Sequence, residues 1–513
     1  MRLSPLRSEQ FRWKLIPLLL LATFNCVYLF MHNSTRHLTH PAPPDPTHDP
    51  ETPVPASEPN LSSTPHSSLK PKATYNEFRL SLPAGNATTF TINELLDLCH
   101  NGESLTITKH YALSGNTQES QYLSNCNPIE ISTSQGARSR GHCSDFVQYI
   151  LYADARLVPE YFAETFQRKM QKCPNSFYLH GEYPIVHLFT GTTDAVTNIS
   201  ASNSTHVPPQ RVRNIWMPNW EQVKQEQNWM IRASYLIACK VHITCTAVQK
   251  YLLDETTQKQ HQNSQNENEH RFANATPILR FMSHSSPDAT LSNHHSESEL
   301  NRYNKFYHAY GHSGRKSTGA VLECWLNHPE WPKLTVIGDN AIAANSERIL
   351  KAKATNIQLY ERVSKAQLQD LQISHGVHLC PSGQEGYGHY INEARSWGAV
   401  TVTTHHPPMQ EFVEDGVSGI LVDHKGSAPE AYQLLGNYET VGVQVGWENV
   451  CDAVEKVLTT TLAARAAMGK LARKRYEDDS EIMIKNLIAL KQEAEEFNRG
   501  SFDGFAFMKL LDL

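Results

Sequence analysis

Apolar and polar positions alternate most regularly in the second half of the chain. Short apolar runs of strand length are each followed by a segment in which apolar residues recur every three or four positions, as on one face of a helix. Strands that are apolar on both faces and joined by helices predict a doubly wound parallel sheet. The predicted strands are KFYHAYG, LTVIGD, NIQLYE, VHLCPS, AVTVTT and GILVDH, and the helices that follow them are TGAVLECWLNHP, NSERILKAKA, SKAQLQDLQISH, HYINEARSWG, PPMQEFVED and WENVCDAVEKVL.

The chain between residues 85 and about 300 has a less regular pattern. Two segments are helix candidates, INELLDLCH and the long DFVQYILYADARLVPEYFAETFQRKM, and two polar segments, DETTQKQHQNSQNENEH and SHSSPDATLSNHHSESE, are predicted to be surface insertions. The strand candidates in this half are SLTIT, NSFYLH, NIWMP, ASYLIAC and PILRFM.

One apolar run near the N-terminus has the length of a membrane span. Residues 15–31, LIPLLLLATFNCVYLFM, carry no charge, and four basic residues and one acidic residue precede them. Positive charge stays on the cytosolic side, so we predict a type II protein with a cytosolic tail at 1–14 and everything after residue 31 in the lumen. A cleavable signal peptide is the alternative. The length of the run and the lack of an A-x-A-like site favour the anchor.

The region after the predicted anchor lacks the apolar content needed for a core. Residues 32–84 are rich in Pro, Ser and Thr, which predicts a disordered stem that holds the folded part away from the bilayer. Six N-x-S/T sequons lie beyond the anchor and fit exposure in the lumen. They are at Asn33, Asn60, Asn86, Asn198, Asn203 and Asn274.

Composition narrows the class of protein. A chain of 513 residues with 40% hydrophobic content predicts two or three domains, and a net charge of −6 gives no indication of nucleic-acid binding. Four cysteines, Cys99, Cys126, Cys143 and Cys173, cluster where disulfides are plausible, although their connectivity does not follow from the sequence. No CxxC is present, which argues against a structural zinc site.

Candidate chemistry concentrates after the strand VHLCPS, where glycines interrupt the chain before a helix. Backbone N–H groups at such a helix N-terminus attract phosphate. Two carboxylates eight residues apart, Glu385 in the turn and Glu393 in the helix, are better suited to hydroxyl groups than to phosphate. The combination predicts a nucleotide-sugar site at the carboxyl ends of parallel strands.

Residues 305–475 resemble the C-terminal nucleotide-sugar domain of retaining GT-B glycosyltransferases, specifically the family four group with an E-x7-E motif. Three blocks carry the resemblance in the expected order: YGHSGRKSTGAVLECWLNHPEWPKLTVIGDN, NIQLYERVSKAQLQDLQISHGVHLCPS and EGYGHYINEARSWGAVTVTTHHPPMQEFVEDGVSGILV. The segment MPNWE and the run ASYLIACK more loosely resemble the end of the acceptor-side domain of that family. The resemblance implies two Rossmann-like doubly wound α/β domains that face a cleft, with an acceptor domain at 85–304 and a helical tail at 476–513.

The resemblance also assigns roles to residues. Glu385 matches the motif glutamate that contacts the donor sugar, and Glu393 matches the one that contacts the ribose. Arg315 and Lys316 lie near the basic pair that neutralises the diphosphate, but their register differs from the family pattern, so which of the two reaches the phosphates stays open, with Lys316 preferred. The turn whose backbone supports phosphate and sugar corresponds to Gly386, Tyr387, Gly388 and His389.

Other polar residues have weaker indications. His405 and His406 replace a glycine-containing turn of the family, and Glu411 is predicted to be a first-turn acid of the helix PPMQEFVED. In the first half, His180 and His187 flank the run EYPIV, and core or surface positions are the preferred interpretation of both. The sequence contains no D-x-D, so we expect no metal and no cofactor besides the UDP- or GDP-linked donor.

The expected function is therefore that of a metal-independent, retaining hexosyltransferase of the Golgi or endoplasmic reticulum membrane. Its acceptor would be a glycan, glycoprotein or lipid. The family favours front-face attack without a covalent intermediate, although a double displacement with Glu385 as nucleophile is a formal alternative. Two other interpretations remain: a catalytically inactive luminal binding protein, and a nucleotide-sugar epimerase or phosphorylase on the same fold.

Overall fold

In the computed structural model, the described residues form two parallel-sheet α/β domains. These residues are 92–101, 106–107, 112–113, 126–132, 141–158, 173, 176–180, 213–219, 223, 230–231, 234–261, 276–288, 300–310, 314–338, 354–426 and 442–499. All of them belong to the compact unit Pro71–Leu513. The predicted tail, anchor and stem, His187 and the helix NSERILKAKA lie outside the described residues, as do the six sequons.

The C-terminal sheet has the predicted strands in a fully parallel arrangement. Its described strands run in the order β11, β10, β9, β12, β13, β14, where the numbers follow the chain. Their apolar residues pack between helices in one core that includes Trp325, Leu379 and Val454. The strand bounds are Phe306–Ala309 for β9, Leu334–Ile337 for β10, Ile357–Tyr360 for β11, Val377–Cys380 for β12, Val400–Thr404 for β13 and Gly419–Val422 for β14.

The described helices of this domain also follow the prediction, with one exception. PPMQEFVED forms only a 3-10 turn, Met409–Phe412, rather than an α-helix. Two prolines at its start remove backbone donors, and Val413 returns to an extended conformation. The α-helices are α4 (Thr318–Asn327), α5 (Lys365–Ser374), α6 (His389–Ser396) and α7 (Trp447–Thr459), and α5 begins with a capping box between Ser364 and Gln367.

The N-terminal sheet has eight described strands in the order β2, β1, β4, β3, β5, β6, β7, β8. Its strands are parallel except for the short β1, which pairs antiparallel with β2 and β4. The bounds are Thr106–Ile107, Ala112–Leu113, Ile129–Ser132, Arg156–Val158, Phe177–His180, Arg213–Trp216, Leu236–Cys239 and Ile278–Phe281 for β1 to β8. The second Rossmann-like domain is thereby confirmed.

Four predictions for this half were incomplete or wrong, one of them the surface position of SHSSPDATLSNHHSESE, whose residues His284, Ser285 and Ser286 are buried. The strand β3 was not predicted, although it is at the centre of the sheet. The long helix candidate ends at Tyr152, because Asp154 has a positive φ of 51° and the following residues form β4 beside β3. The polar segment DETTQKQHQNSQNENEH begins as helix, since α3 spans His242–His261. The other described helices of this half are α1 (Ile92–Asn101) and α2 (His142–Tyr152).

Disulfides connect several of these elements. The four clustered cysteines pair as Cys99–Cys143, which joins α1 to α2, and Cys126–Cys173. Two further pairs are Cys239–Cys245 in the N-terminal domain and Cys324–Cys451, which joins α4 to α7. A disulfide-rich fold is typical of an oxidising compartment.

The last described helix, α8 (Leu462–Asn498), is shared between the two domains. Its first turns bury Ala466 and Met468 in the C-terminal core, and its later turns bury Met483 and Leu487 in the N-terminal core. Within the part of the chain that the structure describes, no helix has the length and apolar character needed to cross a bilayer. The anchor at 15–31 lies outside that part and stays a prediction.

Candidate functional site

The topology of the C-terminal sheet determines where two loops meet. From β9 the chain adds β10 and β11 on one side and then returns to place β12 on the other side of β9. The carboxyl ends of β9 and β12 therefore border a topological switch point, the usual ligand site of such sheets. The loop after β9 carries Arg315 and Lys316, and the loop after β12 carries Glu385.

The structure brings Lys316 and Glu385 together at this switch point. Lys316 Nζ lies 2.5 Å from Glu385 Oε1, and each side chain is 15% exposed. Ser382 Oγ donates to the same carboxylate oxygen at 2.5 Å. The ammonium group also lies 3.4 Å from the ring centre of Tyr390, a cation–π contact. One positive and one negative group thus stand side by side at the edge of solvent.

The buried histidine His308 of β9 connects β12 with the start of α4, close to this pair. Its Nδ1 donates to the carbonyl oxygen of Leu379 at 2.8 Å, and its Nε2 accepts from the hydroxyl of Thr318 at 2.7 Å. Burial lowers the pKa of His308 to about 4, and the nearby Lys316 acts in the same direction, so the ring is neutral at pH 7. No pattern in the sequence indicated His308, because its partners belong to two other elements, β12 and the start of α4.

Arg315 occupies a different position from Lys316. Its carbonyl oxygen accepts a hydrogen bond from Gly383 N–H at 2.8 Å, which joins the two loops, while the residue itself is exposed. The preference for Lys316 as the basic group beside the motif agrees with this geometry, although the role of neither residue is tested by it.

The glycines of the motif turn allow close contacts with the other domain. A Cβ at Gly386 would lie 2.6 Å from Asn219 Oδ1 of the MPNWE segment, so a larger residue would push the domains apart. Gly388 has a positive φ of 88° and forms the N-cap of α6. Tyr387 is buried and donates its hydroxyl to the carbonyl oxygen of His284 at 2.8 Å. Its side chain therefore contacts the N-terminal domain.

Glu393, the second motif glutamate, has separate partners from Glu385. Gln372 Nε2 donates to Glu393 Oε2 at 3.1 Å, and the side chain is half-buried. Both carboxylates affect the pKa of the buried Cys380 thiol. Burial raises this pKa, Lys316 lowers it, and Glu385 and Glu393 raise it further. The two motif glutamates thus both lie near Cys380, the last residue of β12.

His389, the last residue of the predicted turn, points into a polar cluster of the N-terminal domain. Its Nε2 lies 3.0 Å from Asp145 Oδ1, which also accepts from His284 Nε2 at 2.6 Å. Lys240 Nζ lies 3.2 Å from Asp145 Oδ2. Burial acts to raise the pKa of Asp145, but Lys240 and His284 together bring it well below its usual range. Burial lowers the pKa of His284 to about 4.

Asp145, His284 and His389 are the side chains among the described residues whose donor atoms are close enough to share a metal ion. Their geometry fits a hydrogen-bond network better. The 2.6 Å separation of the Asp145 and His284 atoms is that of a hydrogen bond, and Lys240 already balances the charge of the carboxylate.

Glu411 also crosses between the domains. It was predicted as a first-turn acid of its own helix, but its carboxylate accepts the backbone N–H groups of His242 at 2.7 Å and Ile243 at 2.9 Å. These groups begin α3, so Glu411 caps a helix of the other domain. Burial raises the pKa of Glu411, partly offset by these two hydrogen bonds.

The described contacts of the remaining candidate histidines are with residues other than Lys316 and Glu385. His180 is buried at the end of β5, where Ser132 Oγ lies 2.8 Å from its Nδ1 and Asn214 Oδ1 lies 3.1 Å from its Nε2. Burial lowers the pKa of His180 to about 3. His405 is exposed and lies 3.3 Å from Asp423, and the ring of His406 lies 5.4 Å from that of His424.

A scan against protein-family models matches residues 320–437 to the family described as "Glycosyl transferases group 1". The matched stretch includes Glu385 and Glu393. Together with the two parallel-sheet Rossmann-like domains, this match supports a glycosyltransferase of the GT-B type. No curated protein matches the sequence significantly.

Several solved structures are similar to this chain at low sequence identity. HepE from Anabaena, crystallised with UDP and glucose, is 11% identical over 72% of this chain and 99% of its own, with a TM-score of 0.46. A glycosyltransferase from Rickettsia africae is 11% identical over 72% and 98%, with a TM-score of 0.47. The pneumococcal O-GlcNAc transferase GtfA, with UDP and GlcNAc, is 15% identical over 67% and 61%, with a TM-score of 0.40. Likenesses at these scores assign no ligand to this chain.

Proposed function

We propose that the protein transfers a hexose from a UDP- or GDP-linked donor to a hydroxyl group of a glycan, glycoprotein or lipid. The observation that carries this proposal is the pairing of Lys316 with Glu385 at the switch point of the C-terminal sheet, beside the matched glycosyltransferase domain. A cation and a carboxylate at that position suit the two chemically different halves of a sugar diphosphate.

Each charged group has a distinct task in this proposal. The Lys316 ammonium has three N–H donors and is shared between Glu385 and the diphosphate once the donor is bound. Both described contacts of the Glu385 carboxylate use Oε1, which leaves Oε2 to accept from a sugar hydroxyl. Glu393 binds the ribose diol through Oε1, since its described contact with Gln372 uses Oε2. The N-terminus of α6 faces the phosphates.

We propose transfer with retention by front-face attack. The bond between the anomeric carbon and the phosphate oxygen breaks, and the acceptor oxygen forms the new bond on the same face. The proton of the acceptor hydroxyl passes to the leaving phosphate oxygen. Lys316 stabilises the negative charge that develops on the diphosphate, a task that a metal performs in other enzymes. Independence of metal stays a prediction, which transfer in the presence of a chelator would test.

The acceptor would approach from the N-terminal domain, whose Asn219 and Asp145 lie against the motif turn. The proposed location is the Golgi or endoplasmic reticulum membrane, with residues 15–31 as the anchor. This location is supported by the basic residues before the apolar run and by disulfides in the folded part.

Ligand-dependent thermal stability of the full-length protein in detergent tests the donor site. A nucleotide sugar that binds the native state raises the melting temperature, so a panel of UDP- and GDP-sugars identifies the donor. Transfer and hydrolysis of the best ligand are then measured for Glu385→Gln, Glu393→Ala and the exposed control Glu330→Gln. We expect loss of turnover in the first and weaker donor binding in the second.

Two results would contradict the proposal. Full transfer activity in both motif variants would remove Glu385 and Glu393 from the site. Stabilisation by a nucleotide sugar with neither transfer nor hydrolysis by the wild-type protein would point to an inactive binding protein.

A further inference from the structure

The side chain of His389 enters a socket that is formed entirely by the N-terminal domain. We propose that His389 is a positioning residue: by docking in this socket, it holds the motif turn and the start of α6 in the geometry needed for donor turnover. This inference rests on the proposed function. The sequence predicted a role only for the backbone of His389, whereas this inference concerns its side chain.

Three polar contacts and one steric contact define the socket. His389 Nε2 lies 3.0 Å from Asp145 Oδ1, and His389 Nδ1 lies 3.0 Å from Ser286 Oγ. Ser286 Oγ also lies 3.1 Å from the carbonyl oxygen of His389. The ring lies against Gly141, where a Cβ would come within 2.8 Å of His389 Cδ2. Both ring nitrogens and the backbone of one residue are thus bonded across the domain boundary.

The socket does not depend on His389 for its own stability. Asp145 keeps Lys240 and His284 as partners, and all three belong to the N-terminal domain. Its carboxylate is therefore neutralised before His389 arrives, and separation of the domains leaves no buried unpaired charge. A preformed acceptor of this kind favours docking, because little has to be rearranged when the domains meet.

The location of His389 explains why docking would matter for turnover. It is the first residue of α6, midway between Glu385 and Glu393, and it follows the N-cap Gly388, which has a positive φ of 88°. Neighbouring contacts reinforce the connection: Tyr387 donates to the carbonyl oxygen of His284, and Glu411 caps α3. Small displacements of catalytic groups cost about 100-fold in rate.

Hydrogen–deuterium exchange of the full-length protein tests docking without any assay of activity. In His389→Gln we expect about tenfold faster exchange of the first-turn amides of α2 and of residues 284–286, since a charge-assisted hydrogen bond to the socket is lost. His328→Gln is the matched control, because His328 lies on the surface of the same domain and stacks on Trp331. Ser286→Ala removes both contacts of the Ser286 hydroxyl but keeps the contact between His389 and Asp145, so it should give a smaller change.

Kinetics with the donor found in the panel test positioning. For His389→Gln we expect kcat to fall by about 10- to 100-fold, a change larger than that in KM, with Ser286→Ala between it and the wild type. Unchanged exchange, or faster exchange with unchanged kcat, would overturn the proposal. If the wild-type protein turns over no donor, the proposed function fails, and exchange alone decides whether His389 docks.

Discussion

The two sheets have topological switch points of opposite character. In the N-terminal sheet the switch lies between β3 and β5, where Ser132, His180 and Asn214 are joined by hydrogen bonds and almost completely buried. In the C-terminal sheet the switch lies between β9 and β12, where Lys316 and Glu385 are charged and partly exposed. The same topology therefore supports a sealed neutral triad in one domain and an open charged pair in the other.

The difference shows that topology sets the place of a site and side chains set its chemistry. A neutral triad can be sealed from water, because each polar atom has a partner. Lys316 and Glu385 are each 15% exposed, so a charged ligand can reach them from solvent. Of the two switch points, we expect the C-terminal one to bind the nucleotide sugar.

Acid should destabilise both domains, because each contains two buried histidines whose pKa is lowered by burial. Burial lowers the pKa of His180 and His378 to about 3 and that of His284 and His308 to about 4, from 6.5 in each case. Between these values the unfolded chain binds protons that the folded protein does not, so stability is full above pH 6.5 and falls as the pH falls below it.

Each histidine contributes up to about 1.4 kcal/mol per pH unit to this loss. Urea unfolding at pH values of about 7.5 and about 5.5 measures it. A free energy of unfolding that does not change between them would mean that these rings are not held neutral.

Substitution of Lys316 at the C-terminal switch point should abolish turnover and leave the folded structure intact. Lys316→Met keeps much of the apolar stem but removes the charge that stabilises the leaving diphosphate, so we expect kcat to fall by about 10²- to 10³-fold. Arg315→Met is the matched comparison, and a smaller loss there would settle which basic residue serves the diphosphate. Equal losses in both variants would show that the two residues share the task. Transfer kinetics and the melting temperature are the measurements.

Substitution of His180 at the N-terminal switch point should lower the stability and leave nucleotide binding unchanged. His180→Ala leaves the buried Ser132 and Asn214 without their partner, and we expect a loss of about 3 kcal/mol in the free energy of unfolding. Nucleotide affinity at temperatures where the variant is folded should not change. Wild-type stability combined with lost transfer would instead place His180 at the acceptor and would remove the contrast between the two switches.

Glu393→Ala should have the smallest effect of these changes. Its described contact with Gln372 uses Oε2, so the ribose interaction that the substitution removes is that of one carboxylate oxygen, Oε1. We expect about tenfold weaker nucleotide binding, equivalent to about 1.4 kcal/mol. Calorimetric titration with UDP and GDP measures this, and Gln372→Ala tests whether release of Glu393 from its partner strengthens binding.

The sequence predicted the C-terminal domain better than the N-terminal one for a physical reason. In the C-terminal half every described strand is a short apolar run, and each described segment that follows one forms the predicted α-helix except Met409–Phe412, so local pattern and tertiary structure agree in most of the domain. In the N-terminal half β3 contains Glu130, which is buried through its ion pair with Arg156 of β4. Because of this charged residue, the apolar pattern does not identify β3 as a buried central strand. The charged Arg156 likewise led to β4 being included in a helix candidate.

Some features of the candidate site could be predicted from the local sequence, whereas others depended on the tertiary structure. Local sequence was sufficient for the strand, the glycine turn, α6 and the nearby basic pair, because these features depend on residues close in the chain. Which groups meet depended on crossovers: Lys316 reaches Glu385 only because β9 and β12 are neighbours, and His389 reaches Asp145 only because the two domains touch. Contacts between distant segments are decided by topology and packing, which no local pattern records.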